Sequence, residues 1–138
     1  MKKAIAYVDG SYNCNSNLYG YGAVIFYEGK VYEYLGSDSN HKLKKMRNIA
    51  GELMGATFII NWCLNRKIPE LDLYYDYLGI EKWATGEWKA NKDGTKSYAF
   101  LCYNSRKQLK INFIKVKAHS GEKYNEMADL LAKEAVGL

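Results

Sequence analysis

Residues 23–35 decide the fold and read Ala23-Val24-Ile25-Phe26-Tyr27-Glu28-Gly29-Lys30-Val31-Tyr32-Glu33-Tyr34-Leu35. Two runs of β-branched and aromatic residues, which favour strands, flank a short segment centred on Gly29. A glycine between two such runs permits the tight turn of a β-hairpin. The stretch therefore predicts two antiparallel strands.

The chain before this hairpin adds one more strand. Residues Ala4 to Val8 form a short apolar run, typical of a buried strand, and Asp9-Gly10-Ser11 directly after it predicts a turn. Residues 12–22 are rich in Asn, Gly and Ser, which indicates a loop. Asp9 is therefore expected at the end of a buried strand.

After the hairpin the apolar period changes. From about Met46 to Leu64, apolar residues recur every three or four positions, which is typical of an amphipathic helix. Downstream, the patterns predict a strand over residues 71–75, a short helix over 79–85, a loop containing 91–94, a helix over about 97–108, a strand over 111–116 and a helix over about 122–135. The order β-β-β-α-β-α-α-β-α predicts an α/β fold with a mixed sheet covered by helices.

The composition limits the class of protein. A length of 138 residues, 48% of them hydrophobic, suits one compact domain over residues 1–138. There is neither a signal-peptide pattern nor an apolar run of the roughly 20 residues that cross a bilayer, so we expect no membrane association. Three scattered cysteines, Cys14, Cys63 and Cys102, indicate reduced thiols and a cytoplasmic location. The formal charge of +5 is compatible with an anionic partner, but charge alone equally fits a solvated basic surface.

Two aspartates follow predicted strands, Asp9 and Asp76. The carboxyl ends of neighbouring strands are where ligand sites gather in α/β sheets. Taken singly, each is more simply explained as a cap of the next turn or helix.

Glu52 lies within the long predicted helix, between Gly51 and Gly55. Glycine inside a helix is less favourable than alanine by ~1 kcal/mol, so two of them suggest that something approaches the helix closely. Asn48 precedes Glu52 by four residues and shares its face, as Asn125 does with Asp129 on the last helix. The alternative for Glu52 is an ordinary surface glutamate.

Four carboxylates without Cys or His at ligand spacing suit a hard cation such as Mg²⁺ or Mn²⁺. Clustered acids repel one another at neutral pH unless cations occupy the site. Two ions about 3.5–4 Å apart are the recurrent arrangement for cutting phosphodiesters.

Five short motifs, in order, resemble those of type 1 ribonuclease H. They are Tyr7-Val8-Asp9-Gly10-Ser11 with Gly20-Tyr21-Gly22-Ala23-Val24, Asn48 to Leu53, Tyr75-Asp76, Val116-Lys117-Ala118-His119-Ser120-Gly121, and Asn125 with Ala128-Asp129-Leu130 and Ala132. The resemblance runs from about residue 3 to 136. No single motif is specific, but five in the expected order and on the expected elements are.

The resemblance implies a ribonuclease H-like fold, with a mixed five-stranded sheet and helices on both faces. It implies an endoribonuclease that hydrolyses the RNA strand of RNA–DNA hybrids by a two-metal-ion mechanism, leaving 5′-phosphate and 3′-hydroxyl ends. Two Mg²⁺ ions, with Mn²⁺ as a substitute, would be held by Asp9, Glu52, Asp76 and Asp129. His119 would shuttle a proton or help product leave, and the RNA strand would be contacted by Asn15, Asn48 and Asn125.

The sequence departs from the family's pattern in two places. The segment from Asp76 to Trp83 is four residues shorter than usual, close to one helical turn, so Trp83 can keep its inward direction.

The basic handle of many bacterial members is reduced to residues 86–96, where Trp88 with Lys89, Lys92 and Lys96 can meet the DNA strand. Alternatively, Trp88 simply covers the core. A further basic run, residues 41–47, is expected beside the site or as a solvated loop.

Three other functions remain open at this stage. One is another nuclease of the same fold, of resolvase or integrase type, and a second is a catalytically silent hybrid-binding module. The third is thiol chemistry by Cys14 with His119. No obligatory protein partner is evident, and we expect a monomer.

Overall fold

The computed structural model describes residues 2–39, 46–117 and 121–138. Within these ranges it contains five strands and four helices. In chain order they are β1 (Lys3–Asn13), β2 (Leu18–Tyr27), β3 (Lys30–Asp38), α1 (Asn48–Asn65), β4 (Glu70–Tyr75), α2 (Gly79–Thr85), α3 (Asp93–Ser105), β5 (Lys110–Lys115) and α4 (Lys123–Ala135).

The strands form one mixed sheet in the order β3-β2-β1-β4-β5. The first three strands pair antiparallel, whereas β1 with β4 and β4 with β5 pair parallel. The predicted element order and the mixed five-stranded sheet are confirmed. None of the helices in the described ranges is long and apolar enough to cross a bilayer.

The hairpin turn forms where the sequence predicted it. Glu28 and Gly29, with φ of 51° and 76°, make a two-residue turn between β2 and β3. Positive φ at both central positions matches the twist of the flanking strands, and glycine meets this demand without strain at the second position.

Strand β1 is longer than the sequence predicted. Asp9-Gly10-Ser11 is not a turn, because these residues continue β1 and pair with Gly22, Tyr21 and Gly20 of β2. The loop expected over residues 12–22 is confined to the short turn between Asn13 and Leu18. Pairing of β1 with β4, by contrast, stops at Tyr7. Asp9 therefore lies where β1 and β4 separate, in the middle of a strand rather than at its end.

Helix α1 packs closely on one face of the sheet, and at Gly51 and Gly10 no side chain separates the helix from the strand backbone. A Cβ on Gly51 would collide with the carbonyl oxygen of Gly20, and one on Gly55 would lie 2.6 Å from Val8 Cγ2. From the sheet side, a Cβ on Gly10 would lie 2.6 Å from the backbone nitrogen of Glu52. The close approach that the two helical glycines predicted is thus the contact of α1 with β1 and β2.

Helix α4 packs on the opposite face, so helices cover both faces as expected. A Cβ on Gly22 would collide with the backbone carbonyl of Ala128 and lie 2.6 Å from Leu131 Cβ. Tyr124 of α4 packs against Tyr7 of β1, with ring centroids 5.7 Å apart. These contacts place α4 above the same strands that α1 covers from below.

Two local features differ from what the sequence suggested. The five apolar and acidic residues before Asp76 suggest a strand buried along its length, but β4 alternates, with Leu71, Leu73 and Tyr75 buried and the residues between them half-buried. The loop expected at residues 91–94 ends earlier, because α3 begins at Asp93. The Thr95 hydroxyl oxygen accepts the backbone N–H of Lys92 at 3.1 Å and so stabilises this helix start.

We expect Gly51→Ala to destabilise the protein. Alanine favours helix over glycine by about 1 kcal/mol, but the added Cβ meets backbone rather than a flexible side chain. The net loss should be about 1–3 kcal/mol in the free energy of unfolding, as for other overpacked cores, measured by urea denaturation. Asn61→Ala, at an exposed position of the same helix, is the control and should be neutral or slightly stabilising. A Gly51→Ala protein as stable as wild type would contradict the contact.

Candidate active site

Most of the polar residues singled out in the sequence converge on one small pocket, of about 100 Å³. It opens where β1 and β4 separate, between the start of α1 and the first turns of α4. The pocket is lined by Asp9, Gly10, Asn48, Asp76, Asn125, Glu126 and Asp129. Three predicted carboxylates and two predicted asparagines, far apart in sequence, are therefore neighbours.

Asp9 lies at the centre of this group. Its Oδ1 accepts the backbone N–H of Gly10 at 2.9 Å. Burial, together with the negative charges of Asp129 and Asp76, raises the pKa of Asp9 to about 7, although the Gly10 N–H acts in the opposite direction. The site thus holds more negative charge than its surroundings stabilise.

Glu52 lies beneath the pocket and is only 3% exposed, so it is not a surface glutamate. Its carboxylate accepts the backbone N–H groups of Asp76 at 2.8 Å and Tyr77 at 3.2 Å. Burial raises the pKa of Glu52 to about 8; these N–H groups oppose the shift, and the charges of Asp9 and Asp76 add to it. Glu52 therefore connects α1 to the end of β4, where Asp76 stands.

Asp129 and Asn125 come from the first half of α4. The Glu122 carboxylate accepts the backbone N–H of Asn125 at 2.7 Å, which caps this helix and fixes its first turn. Asn125 is buried, whereas Asp129 is half-buried and forms an ion pair with Lys133 at 3.0 Å. Lys133 lies one turn further along the same helix.

Some predicted site residues are not in this group. Asn15 lies exposed in the turn between β1 and β2, where its backbone N–H donates to the Asn13 side chain at 3.0 Å, and it does not line the pocket. His119 and most of the basic run, residues 41–45, lie outside the described residues. Of that run, the guanidinium of Arg47 lies 5.7 Å from the centre of the Tyr12 ring.

Two residues of the site were not predicted from the sequence, Glu126, which lines the pocket, and Lys133, which pairs with Asp129. Glu126 precedes Asp129 by three residues and Lys133 follows it by four, so all three share one helical face. That spacing was the available signal.

The donor chemistry of the site fits a hard divalent cation. All four acids offer oxygen ligands, and the pKa values of Asp9 and Glu52 are raised by burial and, less strongly, by neighbouring negative charge, both of which a cation would offset. Over residues 2–39, 46–117 and 121–138, however, no three His, Cys, Asp or Glu side chains already form a metal cage. Three of the acids make other contacts, Asp9 and Glu52 with backbone N–H groups and Asp129 with Lys133.

A basic, aromatic cleft of about 260 Å³ adjoins the site. The rings of Tyr77, Trp83 and Trp88 are in mutual contact, with centroids 5.7–6.2 Å apart. Trp83 is half-buried, and Trp88 covers it while remaining 39% exposed. Lys89 and Lys92 line the same cleft, so part of the shortened handle faces it.

Comparison with known proteins agrees with this geometry. The family model of RNase H matches residues 1–137. The ribonuclease H of Wolbachia pipientis wMel is 31% identical, over 98% of this chain and 96% of that protein. The ribonuclease H of Acetivibrio thermocellus is 32% identical, over 99% and 96%.

Solved structures share the fold. The N-terminal RNase H domain of a Mycobacterium tuberculosis protein superposes with a TM-score of 0.79 at 20% identity, covering 99% of this chain and 95% of that one. LC11-RNase H1, solved in complex with an RNA/DNA hybrid, gives 0.74 at 19% identity, covering 97% and 96%. With the family match over nearly its whole length, the chain belongs to the ribonuclease H family.

Proposed function

We propose that this nuclease is an endonuclease that hydrolyses the RNA strand of RNA–DNA hybrids and leaves 5′-phosphate and 3′-hydroxyl ends. The observation that carries the proposal is the convergence of Asp9, Asp76 and Asp129 with Asn48 and Asn125 on one pocket. Carboxylates alone suit general phosphodiester cleavage. The two asparagines add neutral donors and acceptors, which are what a 2′-hydroxyl requires of a protein that tells RNA from DNA.

Within this proposal, Asp9, Glu52, Asp76 and Asp129 would hold two Mg²⁺ ions, with Mn²⁺ as a substitute. When bound, such ions polarise the phosphate and lower the pKa of a bound water so that it can attack. The chain itself orients the carboxylates. Glu52 holds the backbone at Asp76 and Tyr77, while Lys133 keeps Asp129 paired, a contact that metal binding would have to replace.

The two strands of the hybrid would meet different surfaces. Asn48 at the start of α1 and Asn125 on α4 would contact the RNA strand, and Asn15 would reach it from the exposed turn. Lys89 and Lys92 carry charge into the adjoining cleft, and Trp88 exposes part of its ring beside Trp83, so all three would contact the DNA strand.

His119 keeps the role that the family resemblance gives it, moving a proton or assisting product release. An imidazole titrates near neutral pH, with a reference pKa of about 6.5. The monomeric state and the cytoplasmic location also stay predictions from the sequence.

The proposed activity is tested by substrate choice. We expect the purified protein with Mg²⁺ to cut RNA in a labelled RNA–DNA hybrid and to leave double-stranded DNA and double-stranded RNA intact. Product ends are identified by their mobility before and after phosphatase treatment. Cleavage in excess EDTA, or equal cleavage of double-stranded DNA, would contradict the proposal. Tight hybrid binding without cleavage in any divalent metal would indicate a silent binding module.

Single substitutions test the assigned roles. Asp9→Asn and Asp76→Asn should nearly abolish single-turnover cleavage, because each removes charge that would hold the metal. His119→Ala should slow cleavage by about 10²–10⁴-fold, the range for a general acid or base, while leaving Mg²⁺ affinity close to wild type.

Asp72→Asn is the matched control for this series. Asp72 lies on the same strand, four residues before Asp76, and is paired with Lys3 and Asn112 away from the pocket. The control should keep most of its activity, and circular dichroism should show all variants folded. An Asp9 or Asp76 variant with most of its wild-type turnover would remove that residue from the metal site.

The metal-free protein should become less stable as pH rises. Asp9 and Glu52 have folded-state pKa values of about 7 and about 8, against ordinary values of 3.8 and 4.5. Between these limits the folded state binds more protons than the unfolded state, so raising the pH favours unfolding. In EDTA, Tm should therefore fall between about pH 5 and about pH 8.

Two comparisons make this pH dependence specific. Asp9→Asn should flatten the profile, and Mg²⁺ should raise Tm more at the high end of the range, where protons no longer compete for the carboxylates. Differential scanning fluorimetry across the range measures both effects. A Tm that rises with pH in EDTA would show that these carboxylates are not held in the environment described above.

A further inference from the structure

The outer side of α3 exposes two large aromatic side chains. Phe100 is 69% exposed and Tyr103 is 64% exposed. Lys96 precedes Phe100 by four residues and Arg106 follows Tyr103 by three, so these four residues form one continuous row, here called the α3 stripe. Adjacent exposed aromatic groups on a protein of this size commonly mark an interaction surface.

The α3 stripe forms one wall of a groove of about 360 Å³ between α2, the segment after it and α3. The remaining lining is small except for one indole, and consists of Trp83, Ala84, Gly86, Ala90 and Ala99. Small residues beside Phe100 and Tyr103 leave space against the aromatic side chains. Among the residues that the structure describes, none that lines this groove is acidic.

The two cations of the α3 stripe are available to a ligand. The guanidinium of Arg106 lies 5.3 Å from the centre of the Tyr103 ring. Neither Arg106 nor Lys96 forms an ion pair with an acidic residue in the described part of the chain. The groove therefore combines flat aromatic groups with positive charge that is not neutralised locally.

The groove also continues the surface proposed for the hybrid. Trp83 lines both this groove and the cleft that contains Tyr77, Lys89 and Lys92. Tyr77 directly follows Asp76 of the candidate active site. A nucleic acid lying along the cleft would thus reach the groove by passing Trp83.

We propose that the α3 stripe binds a single-stranded extension of the hybrid substrate, an inference that rests on the proposed function. Bases would stack on Phe100 and Tyr103, and phosphates would lie against Lys96 and Arg106. Base stacking on aromatic side chains combined with a basic track is how proteins hold single strands. Within the described ranges no Asn, Gln, Ser or Thr lines the groove to read base edges, so sequence preference should be weak.

Binding by fluorescence anisotropy, in EDTA so that the substrate stays intact, tests the proposal. A blunt RNA–DNA hybrid is compared with the same hybrid carrying a single-stranded extension of about six nucleotides. The extension is placed in turn at each of the four strand ends, as thymidine or as uridine. At the favoured end we expect the extension to lower Kd about tenfold or more, equally for the two sugars.

The variants separate the contributions of the α3 stripe. Phe100→Ala with Tyr103→Ala should bring the extended and blunt hybrids within about twofold of each other while leaving the Kd of the blunt hybrid unchanged. Arg106→Gln should lower the salt dependence of binding for the extended hybrid only. Leu138→Ala and Lys30→Gln are exposed controls elsewhere on the surface and should behave like wild type.

Three outcomes would overturn the inference. In the first, the wild-type protein binds the extended and blunt hybrids with equal Kd. In the second, the aromatic double variant weakens binding of both hybrids by the same factor, which would make the α3 stripe part of the duplex contact. Alternatively, sedimentation can reveal self-association that the double variant abolishes, which would assign this face to a second copy of the chain. Cleavage of the blunt hybrid in Mg²⁺ is measured on the same preparations. Loss of that cleavage in wild type refutes the proposed function, whereas intact cleavage without an extension effect refutes only this inference.

Discussion

The candidate site depends on the contact between the backbone of α1 and the backbones of β1 and β2. Gly51 on the helix and Gly10 on β1 leave no room for a Cβ against the facing backbone, and a Cβ on Gly55 would press on the Val8 and Tyr21 side chains. Because the helix lies this close, the short side chain of Glu52 reaches the backbone N–H groups of Asp76 and Tyr77. If α1 lay further from the sheet by the width of a methyl group, Glu52 would be separated from the end of β4. The hydrogen bonds that position Asp76 would then be lost.

This arrangement gathers negative charge in a place that stabilises it only in part. The Gly10 N–H and the Asp76 and Tyr77 N–H groups offset some of the desolvation of Asp9 and Glu52, yet both pKa values remain well above their ordinary range. Replacing these acids by amides would relieve the repulsion among the neighbouring carboxylates. The charge therefore does not serve the stability of the chain alone. A cation would stabilise these buried carboxylates, in line with the Mg²⁺ binding proposed above.

The sequence was most informative where a residue had an unusual local requirement. The two glycines in α1 predicted a close contact, and both lie where this helix approaches the sheet. The turn predicted at Asp9-Gly10-Ser11 was wrong for a related reason, and so was the second half of the loop predicted over residues 12–22. Gly20 and Gly22 suggested a loop, but they are strand residues that stay small because helices lie directly on the sheet. Local composition does not distinguish a glycine that bends the chain from one that admits a neighbouring helix, since the difference lies in a long-range contact.

The shortened segment after Asp76 shows how a departure from the family pattern is accommodated. Tyr77 uses its backbone N–H to hold Glu52, while its ring packs against Trp83 and Trp88. A Cβ on Gly79 would lie 2.7 Å from the Trp83 ring, so the absence of a side chain at residue 79 lets the indole fold back over the short segment. Tyr77 thus contacts a buried carboxylate through its backbone and an aromatic cluster through its ring. This cluster borders both the lysine-lined cleft and the α3 groove. A nucleic acid that shifts its position on Trp83 would therefore also shift Tyr77, which is next to Asp76. The shortened segment therefore keeps the contact between Glu52 and the backbone at Asp76. It also links that contact directly to the surface that the substrate would meet.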